Sequence, residues 1–201
     1  MNYSFFYRPI QNLISLIIGK KSFIEQLSNY LNNNRYAEIH DIGCSDGLLA
    51  QSINLDNTKY FGYDIDAFNI NKAKKKFKNY KNIIFYCNSI ENIKVTNKIN
   101  KIFILKGVLH HLNDHQIISF TKKLLKSDHV IAFDGFYHQN QNIISIILKR
   151  LDQGNFIRSY NGYKKLLKNF TFSKKINYYL RFYSHLLSFK NIDKLQIQKY
   201  F

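Results

Sequence analysis

One short stretch constrains the fold of this chain more than any other. Residues 38–47 read Glu-Ile-His-Asp-Ile-Gly-Cys-Ser-Asp-Gly, and a second hydrophobic segment that ends in Asp64 follows them. A strand with an acid near its end, a glycine-bearing turn and a second strand that ends in an acid are the elements of a nucleoside-binding βαβ unit. The pattern predicts a parallel sheet with an adenosine-containing cofactor at its carboxyl edge.

The rest of the chain continues this alternation of strand-like and helix-like segments, at the spacing of a parallel α/β sheet. We predict a Rossmann-like α/β fold with a seven-stranded, mostly parallel sheet, an antiparallel last strand and helices on both faces. The expected strands are 36–42, 60–63, 83–87, 102–105, 129–133, 172–178 and 180–189. The expected helices are one or two within 10–33, then 47–53, 67–77, 114–125, 140–151 and 162–167.

Length and composition indicate a single domain. A chain of 201 residues with 45% hydrophobic content can bury a core of its own, and no repeat or linker divides it. No apolar run reaches the roughly 20 residues needed to span a bilayer, and the N-terminus lacks a signal pattern, so we expect a cytoplasmic protein. The expected parts are an N-terminal helical cap (1–34), a cofactor-binding core (35–135), a helical insert on the substrate side (136–170), and closing strands with a tail (171–201).

The strong positive charge is weak evidence of function. The net charge is +17, which would attract phosphates, but only five of the 30 basic residues are arginines. Phosphate-reading surfaces favour the bidentate arginine fork, and a lysine run such as 72–76 is most often the solvated face of a helix. The two cysteines, Cys44 and Cys87, are too few for a disulfide scaffold, so we expect reduced thiols near the nucleoside pocket.

The glycine spacing argues against a dinucleotide. Diphosphate binding favours G-x-G-x-x-G, whereas this chain has Gly43, Ser45 and Gly47, with a side chain at the middle position. The two closing strands also replace the further βα units that a dehydrogenase would show. A cofactor without a diphosphate fits better.

Three segments together resemble class I S-adenosylmethionine-dependent methyltransferases. Residues 41–47 (Asp-Ile-Gly-Cys-Ser-Asp-Gly) follow the first motif of that family, with Ser45 in place of its second glycine. Asp64 matches the acid that ends the second strand. Residues 106–114 (Lys-Gly-Val-Leu-His-His-Leu-Asn-Asp) look like the "LHHL" segment that follows the fourth strand in many small-molecule members.

The likeness extends to a narrower bacterial group and covers nearly the whole chain. Residues 152–158 followed by Tyr163 are similar to the "DxGxxVR" insert of that group. Residues 180–185 are similar to its "RxPYxH" segment, with Phe182 where the group has proline. Tyr7-Arg8-Pro9 before an apolar helix also matches.

The resemblance implies S-adenosylmethionine as the cofactor and assigns residues to it. Asp41 would help to orient the methionine end, and Asp64 would hold the ribose hydroxyls. Asn88, where the family commonly has Asp, would lie near the adenine amino group, although a plain turn residue is the alternative. The full set of expected cofactor-binding residues is Asp41, Gly43, Cys44, Ser45, Gly47, Asp64, Ile65, Asn88, Ser89, Lys106, Gly107 and Val108.

His110 and His111 are the candidate catalytic residues, because an acceptor hydroxyl or amine must lose a proton and imidazole titrates near neutral pH. In an extended segment the two side chains would face opposite ways, so only one would reach the pocket. A structural role for this segment is the alternative. His111 and His115 have the spacing of two ligands on one helix face, but without a third ligand we expect no metal.

Residues beyond the carboxyl ends of the later strands and in the insert are expected to bind the acceptor, as in other open α/β sheets. Arg158 could fork onto a carboxylate or phosphate of the acceptor, or form an internal ion pair with Asp152. The expected substrate-binding residues are Asp134, Tyr137, Arg158, Tyr160 and Tyr163.

The resemblance predicts a methyltransferase that acts on a small-molecule, sugar or lipid-linked acceptor. An RNA-directed enzyme and a catalytically degenerate cofactor-binding protein remain alternatives. Methylation of a base amino group uses an Asn/Asp-Pro-Pro-aromatic segment and C5 methylation a Pro-Cys pair; Pro9 is the only proline, so nucleic acid is disfavoured as the acceptor. The acceptor and the oligomeric state stay open.

Overall fold

The computed structural model describes residues 20–95, 100–139, 154–175 and 185–201, with a few isolated positions between them. The sequence predictions for residues 1–19, for most of the helix at 140–151, for Asp152 and for 180–184 lie outside the described residues.

The described residues form a seven-stranded sheet in the order β3-β2-β1-β4-β5-β7-β6. Strands β1 to β5 pair in parallel, and β7 pairs antiparallel with both β5 and β6. The predicted fold class is therefore confirmed. The strands are β1 (Glu38–Ile42), β2 (Lys59–Asp64), β3 (Ile83–Cys87), β4 (Lys101–Lys106), β5 (His129–Gly135), β6 (Thr171–Lys175) and β7 (His185–Lys190).

Helices cover both faces of this sheet. Several begin at a side chain that accepts from free backbone N–H groups, as at Asp66, Asn113 and Asp193. The last helix, capped by Asp193, was not predicted. The helices of the described residues are α1 (Lys20–Asn33), α2 (Ala67–Lys76), α3 (Asp114–Lys123), α4 (Tyr160–Leu166) and α5 (Lys194–Tyr200).

The predicted helix over 47–53 is wrong. The structure has a turn here, followed by a single 3-10 turn at Ala50–Ser52. Gly47 has a φ of +80°, which is outside the helical region. The segment 52–57 (Ser-Ile-Asn-Leu-Asp-Asn) is rich in residues that favour turns, so the chain returns to β2 without an α-helix.

The core forms two clusters, one on each face of the sheet. On one face α1, α2 and α5 cover the strands, and Phe23 of α1 stacks on Phe133 of β5 with ring centroids 3.8 Å apart. On the other face Phe120 of α3 contacts Phe103 of β4 edge to face. Because both faces are buried, the carboxyl ends of the strands are left as the place where polar side chains gather.

Candidate active site

The turn after β1 is tied to the end of β2. The backbone N–H groups of Gly43 and Cys44 both donate to the carbonyl of Tyr63, at 2.7 and 3.1 Å. The N–H of Ser45 donates to Oδ2 of Asp64 at 2.9 Å. The sequence therefore brings the glycine-bearing turn and the acid of the second strand together, as predicted from the spacing.

Left-handed backbone explains the composition of this turn. Gly43 and Gly47 have φ values of +74° and +80°, and a Cβ on Gly43 would lie 2.3 Å from Cγ2 of Val108. Ser45 also has a positive φ, of +50°, in the left-handed region that residues other than glycine rarely adopt.

Asp64 holds two elements in place with one carboxylate. Its Oδ2 accepts from Ser45, and its Oδ1 accepts from the N–H of Asp66 at 2.9 Å. Asp66 in turn caps α2. An ionised carboxylate has about four lone-pair sites, so these two bonds leave acceptor capacity for ligand hydroxyls.

Asp41 lies deeper than an ordinary ligand-binding acid. It is buried, and its Oδ2 accepts a 2.5 Å hydrogen bond from the hydroxyl of Tyr60. Burial raises the pKa of Asp41 to about 6, against the opposing effects of the Tyr60 hydrogen bond and of the positive charge of Lys106. The sequence did not predict this contact between Asp41 and Tyr60, because Tyr60 lies on the neighbouring strand, β2.

The rim of the site carries polar and apolar groups that follow β2 and β3. The N–H of Asn88 donates to the carbonyl of Asp64 at 3.0 Å, and both Asn88 and Ser89 are half-buried. Ile65 is 77% exposed, which is unusual for an aliphatic side chain beside a buried strand. Both cysteines are free thiols: Cys44 is buried in the turn and Cys87 is exposed at the end of β3.

The loop after β4 is less crowded at Gly107 than the turn is at Gly43. Gly107 has a φ of +65°, and a Cβ placed on it would make an ordinary contact with Cε1 of His110, 3.9 Å away. The positive φ, and not a lack of room, favours glycine at this position.

His110 is buried and paired with Asp134. Its Nδ1 lies 2.5 Å from Oδ1 of Asp134, and Oδ2 of the same carboxylate accepts from the N–H groups of Val108 and Leu109. A Cβ on Gly154 would lie 1.9 Å from Cδ2 of His110, so the chain at Gly154 packs directly on this ring. Asp134 thus forms hydrogen bonds with the loop after β4. Its buried carboxylate does not face outward to contact a methyl acceptor.

His111 is exposed, in contrast to its neighbour. The two histidines lie in a 3-10 turn at Leu109–His111, so the expectation of an extended segment is wrong. The reason is that Asp134 accepts hydrogen bonds from the N–H groups of Val108 and Leu109. These bonds fold the chain into a turn. The rings of His110 and His111 remain close, with centroids 4.1 Å apart.

Arg158 is held within the fold. Its Nε and one terminal nitrogen donate to Oδ1 of Asp114 at 2.9 and 2.6 Å, and the carbonyls of Leu109, Leu112 and Phe156 accept its other donors. All five N–H donors of a guanidinium are accounted for in this way. The prediction that Arg158 forks onto the acceptor is therefore wrong, and its ion-pair partner is Asp114.

The three predicted tyrosines of the acceptor side differ in exposure. Tyr163 is fully buried, and its hydroxyl donates to the carbonyl of Gly135 at 3.2 Å, so it belongs to the core. Tyr137 and Tyr160 are half-buried at the edge of the same region. Tyr137 forms a backbone bridge to Ser159, and the ring of Tyr160 contacts Phe172 edge to face.

The described residues contain neither a metal-binding cluster nor a membrane-spanning helix. Within 20–95, 100–139 and the later described ranges, no three His, Cys, Asp or Glu side chains lie close enough to hold a metal ion. In the same part of the chain, no helix is long and apolar enough to cross a membrane.

Comparison with known families identifies the core of the chain. Residues 39–128, which hold the turn, Asp64 and the His110 segment, match a family model described as a methyltransferase domain. The core of the chain is thus similar to a methyltransferase domain. The cofactor of that family is S-adenosylmethionine, so the predicted enzyme type and cofactor are confirmed.

Solved structures of methyltransferases share the fold at low sequence identity. The plantazolicin methyltransferase BamL, crystallised with a substrate analogue and SAH, is 16% identical, with 94% of this chain and 90% of that chain covered and a TM-score of 0.65. The N-methyltransferase NodS from Bradyrhizobium japonicum is 14% identical over 86% and 94%, with a TM-score of 0.63. Human N-acetylserotonin methyltransferase is 18% identical over 84% of this chain and 52% of its own, with a TM-score of 0.62. A comparison with curated protein sequences gives no match.

Proposed function

We propose that this methyltransferase transfers the methyl group of S-adenosylmethionine to a small-molecule, sugar or lipid-linked acceptor. The observation that carries the proposal is the turn of residues 43–47, which is hydrogen-bonded through Ser45 to Asp64 and packs at Gly43 against Val108 of the loop after β4. A nucleoside fits this arrangement because its ribose hydroxyls need an anionic acceptor next to closely approaching backbone. Two of the solved structures named above are methyltransferases of plantazolicin and of N-acetylserotonin, by their names, which agrees with such an acceptor.

The roles of the side chains follow from their positions. Asp64 accepts from the ribose hydroxyls, Ile65 covers the adenine, and Asn88 and Ser89 contact its edge. Asp41, Lys106 and the backbone of Gly107 and Val108 surround the methionine end. When bound, the cofactor supplies an activated methyl group on a sulfonium, and the chain has to align it with the acceptor and exclude water.

We assign different roles to the two histidines. His110 is a positioning residue, because its pairing with Asp134 fixes the loop that carries Gly107 and Val108. His111, which is exposed beside it, is the candidate proton acceptor for an acceptor hydroxyl or amine. Tyr137 and Tyr160, at the half-buried rim, are the remaining candidates for acceptor contact.

Replacing the histidines one at a time tests this assignment. His111→Gln should lower turnover and remove an imidazole-like inflection from the pH profile, with the affinity for S-adenosylmethionine unchanged. His110→Gln should lower cofactor affinity together with stability. An unaltered pH profile in His111→Gln would contradict the base role.

Calorimetric titration with S-adenosylmethionine and with its demethylated product tests the cofactor site. Asp64→Ala should weaken binding by about 1 to 3 kcal/mol, because hydrogen bonds to a charged group are lost. Asp66→Ala is the matched control: it removes a cap from α2 and lowers stability by about 1 kcal/mol but leaves the affinity unchanged. An unfolded Asp64→Ala variant is recognised by circular dichroism and replaced by Asp64→Asn.

A screen for the demethylated product over sugar, lipid-linked and RNA acceptors tests the acceptor class. Turnover on RNA alone would favour the RNA-directed alternative. Absence of any affinity for the cofactor or its product would support the degenerate alternative. The cytoplasmic location expected from the sequence stays a prediction.

A further inference from the structure

A strongly basic segment packs beside the turn of residues 43–47. Residues 67–90 contain six lysines and neither Asp, Glu nor Arg. One of these lysines, Lys72, is ion-paired with Asp46 at 3.0 Å. Lys74, Lys78 and Lys81 are exposed and form no ion pair with any residue that the structure describes. The segment therefore presents uncompensated positive charge along α2 and the start of β3.

A groove of about 380 Å³ runs between the end of α2 and the strand β3. Lys74 of α2 and Lys78 of the turn after it line one side, and Ile84 and Tyr86 of β3 line the other. Within the described residues, β3 is the outermost strand and pairs with β2 alone, so this groove opens at the edge of the sheet. The floor is apolar, and the helix side is cationic.

Two tyrosines offer ring surface in this groove. Tyr80 is 57% exposed and Tyr86 is 38% exposed. One face of the Tyr86 ring stacks on Tyr63, at 5.4 Å and 16°. Tyr63 is nearly parallel to His40 in the next strand. Tyr86 therefore ends a row of stacked rings on the outermost of the described strands.

We propose that the groove between α2 and β3, lined by Lys74, Lys78, Tyr80 and Tyr86, binds single-stranded nucleic acid. Sequence-tolerant binding of single strands combines lysines that follow the phosphates with aromatic rings on which bases stack, and both are present here. A concave groove at a strand edge suits a flexible chain. This binding is separate from methyl transfer to a small acceptor and goes beyond it.

Fluorescence anisotropy with labelled oligouridine and oligoadenine RNA tests the proposal. The double variant Lys74→Glu/Lys78→Glu should lower affinity at least tenfold and reduce the salt slope by roughly 0.7 for each lysine removed. Tyr86→Leu should weaken binding on the order of tenfold through lost base stacking, with the salt slope unchanged. Titration with S-adenosylmethionine should give the same affinity for all these variants, which separates this test from that of the cofactor site.

Lys75→Glu is the matched control, because it makes the same charge change on the same helix outside the groove lining. Lys199→Glu, on α5, is a second control for the change in charge. Equal losses in these controls would show a general effect of net charge and overturn the proposal. It would also be overturned by equal affinity for duplex RNA, or by binding to phosphatidylglycerol vesicles in place of RNA.

Discussion

Nδ1 of His110 lies 2.5 Å from Oδ1 of Asp134, and both side chains are buried. Because Oδ2 of Asp134 accepts from the backbone of Val108 and Leu109, one carboxylate fixes an imidazole and a loop at the same time. That loop also carries Gly107, which has a positive φ. The pair thus connects the last parallel strand, β5, to the loop that we propose to surround the methionine end of the cofactor.

Replacement of Asp134 by Asn should be destabilising. If the amide oxygen accepts from the two N–H groups, its NH2 group faces Nδ1 of the imidazole, so the pair keeps a hydrogen bond only in the tautomer that carries its proton on Nε2. We expect the free energy of unfolding to fall by about 1 to 3 kcal/mol, because hydrogen bonds to a carboxylate become bonds to a neutral amide. Urea denaturation measures it. Asp193→Asn, at the exposed cap of α5, should change stability by less than about 0.5 kcal/mol, since Asn and Asp cap equally well.

The variant Ser45→Gly tests whether the serine lowers the affinity of the turn for S-adenosylmethionine. Glycine adopts a φ of +50° without strain, so stability should change by less than about 1 kcal/mol. Calorimetry should show an affinity for S-adenosylmethionine equal to or above that of the wild type. Gly43→Ala provides the contrast, because its Cβ would meet Val108 at 2.3 Å. A loss of affinity in Ser45→Gly would show that the hydroxyl itself contacts the cofactor.

Arg158→Lys should lower stability without changing cofactor affinity. Lysine keeps the charge but cannot reach Asp114 and three carbonyls with one ammonium, so several acceptors are left unpaired. A loss of about 2 kcal/mol in the free energy of unfolding is expected. Normal stability with a raised KM for the acceptor would contradict the structural role. Arg35→Lys, at an exposed position, is the control.

The raised pKa of Asp41 makes stability depend on pH. The folded protein holds this proton up to about pH 6, whereas an unfolded chain releases it near 3.8, so ionisation of Asp41 destabilises the fold as pH rises between these values. Asp41→Asn should be more stable than the wild type by up to about 3 kcal/mol at pH 7, and no more stable at pH 3.5. Denaturation at both pH values measures this difference. A difference that does not vary with pH would refute the assignment to Asp41.

The strands could be predicted because their burial leaves a local pattern. A continuous apolar run predicted β3 with the same first and last residues as in the structure. Asp64 was also predicted correctly at the end of β2. The helix α5 is not among the predicted helices, although it has a local signal: Asp193 is followed by apolar residues at helical spacing.

The side-chain partners could not be predicted, because they lie far apart in the sequence. Asp134 is 24 residues from His110, and Asp114 is 44 residues from Arg158. A local pattern shows that such residues are polar, but only the fold decides which of them neutralise one another. For this reason the local pattern indicated that the turn of residues 43–47 and Asp64 lie together, but it did not show that Arg158 and Tyr163 are internal.

The strand order has a consequence for how the chain folds. Strands β1 to β5 can pair with one another in the order in which the helices between them form, but β6 has β7 as its only neighbour among the described strands. During synthesis β6 leaves the ribosome before the strand that must separate it from β5. The sheet therefore closes late, and until then the edge of β5 is open to pairing with another chain.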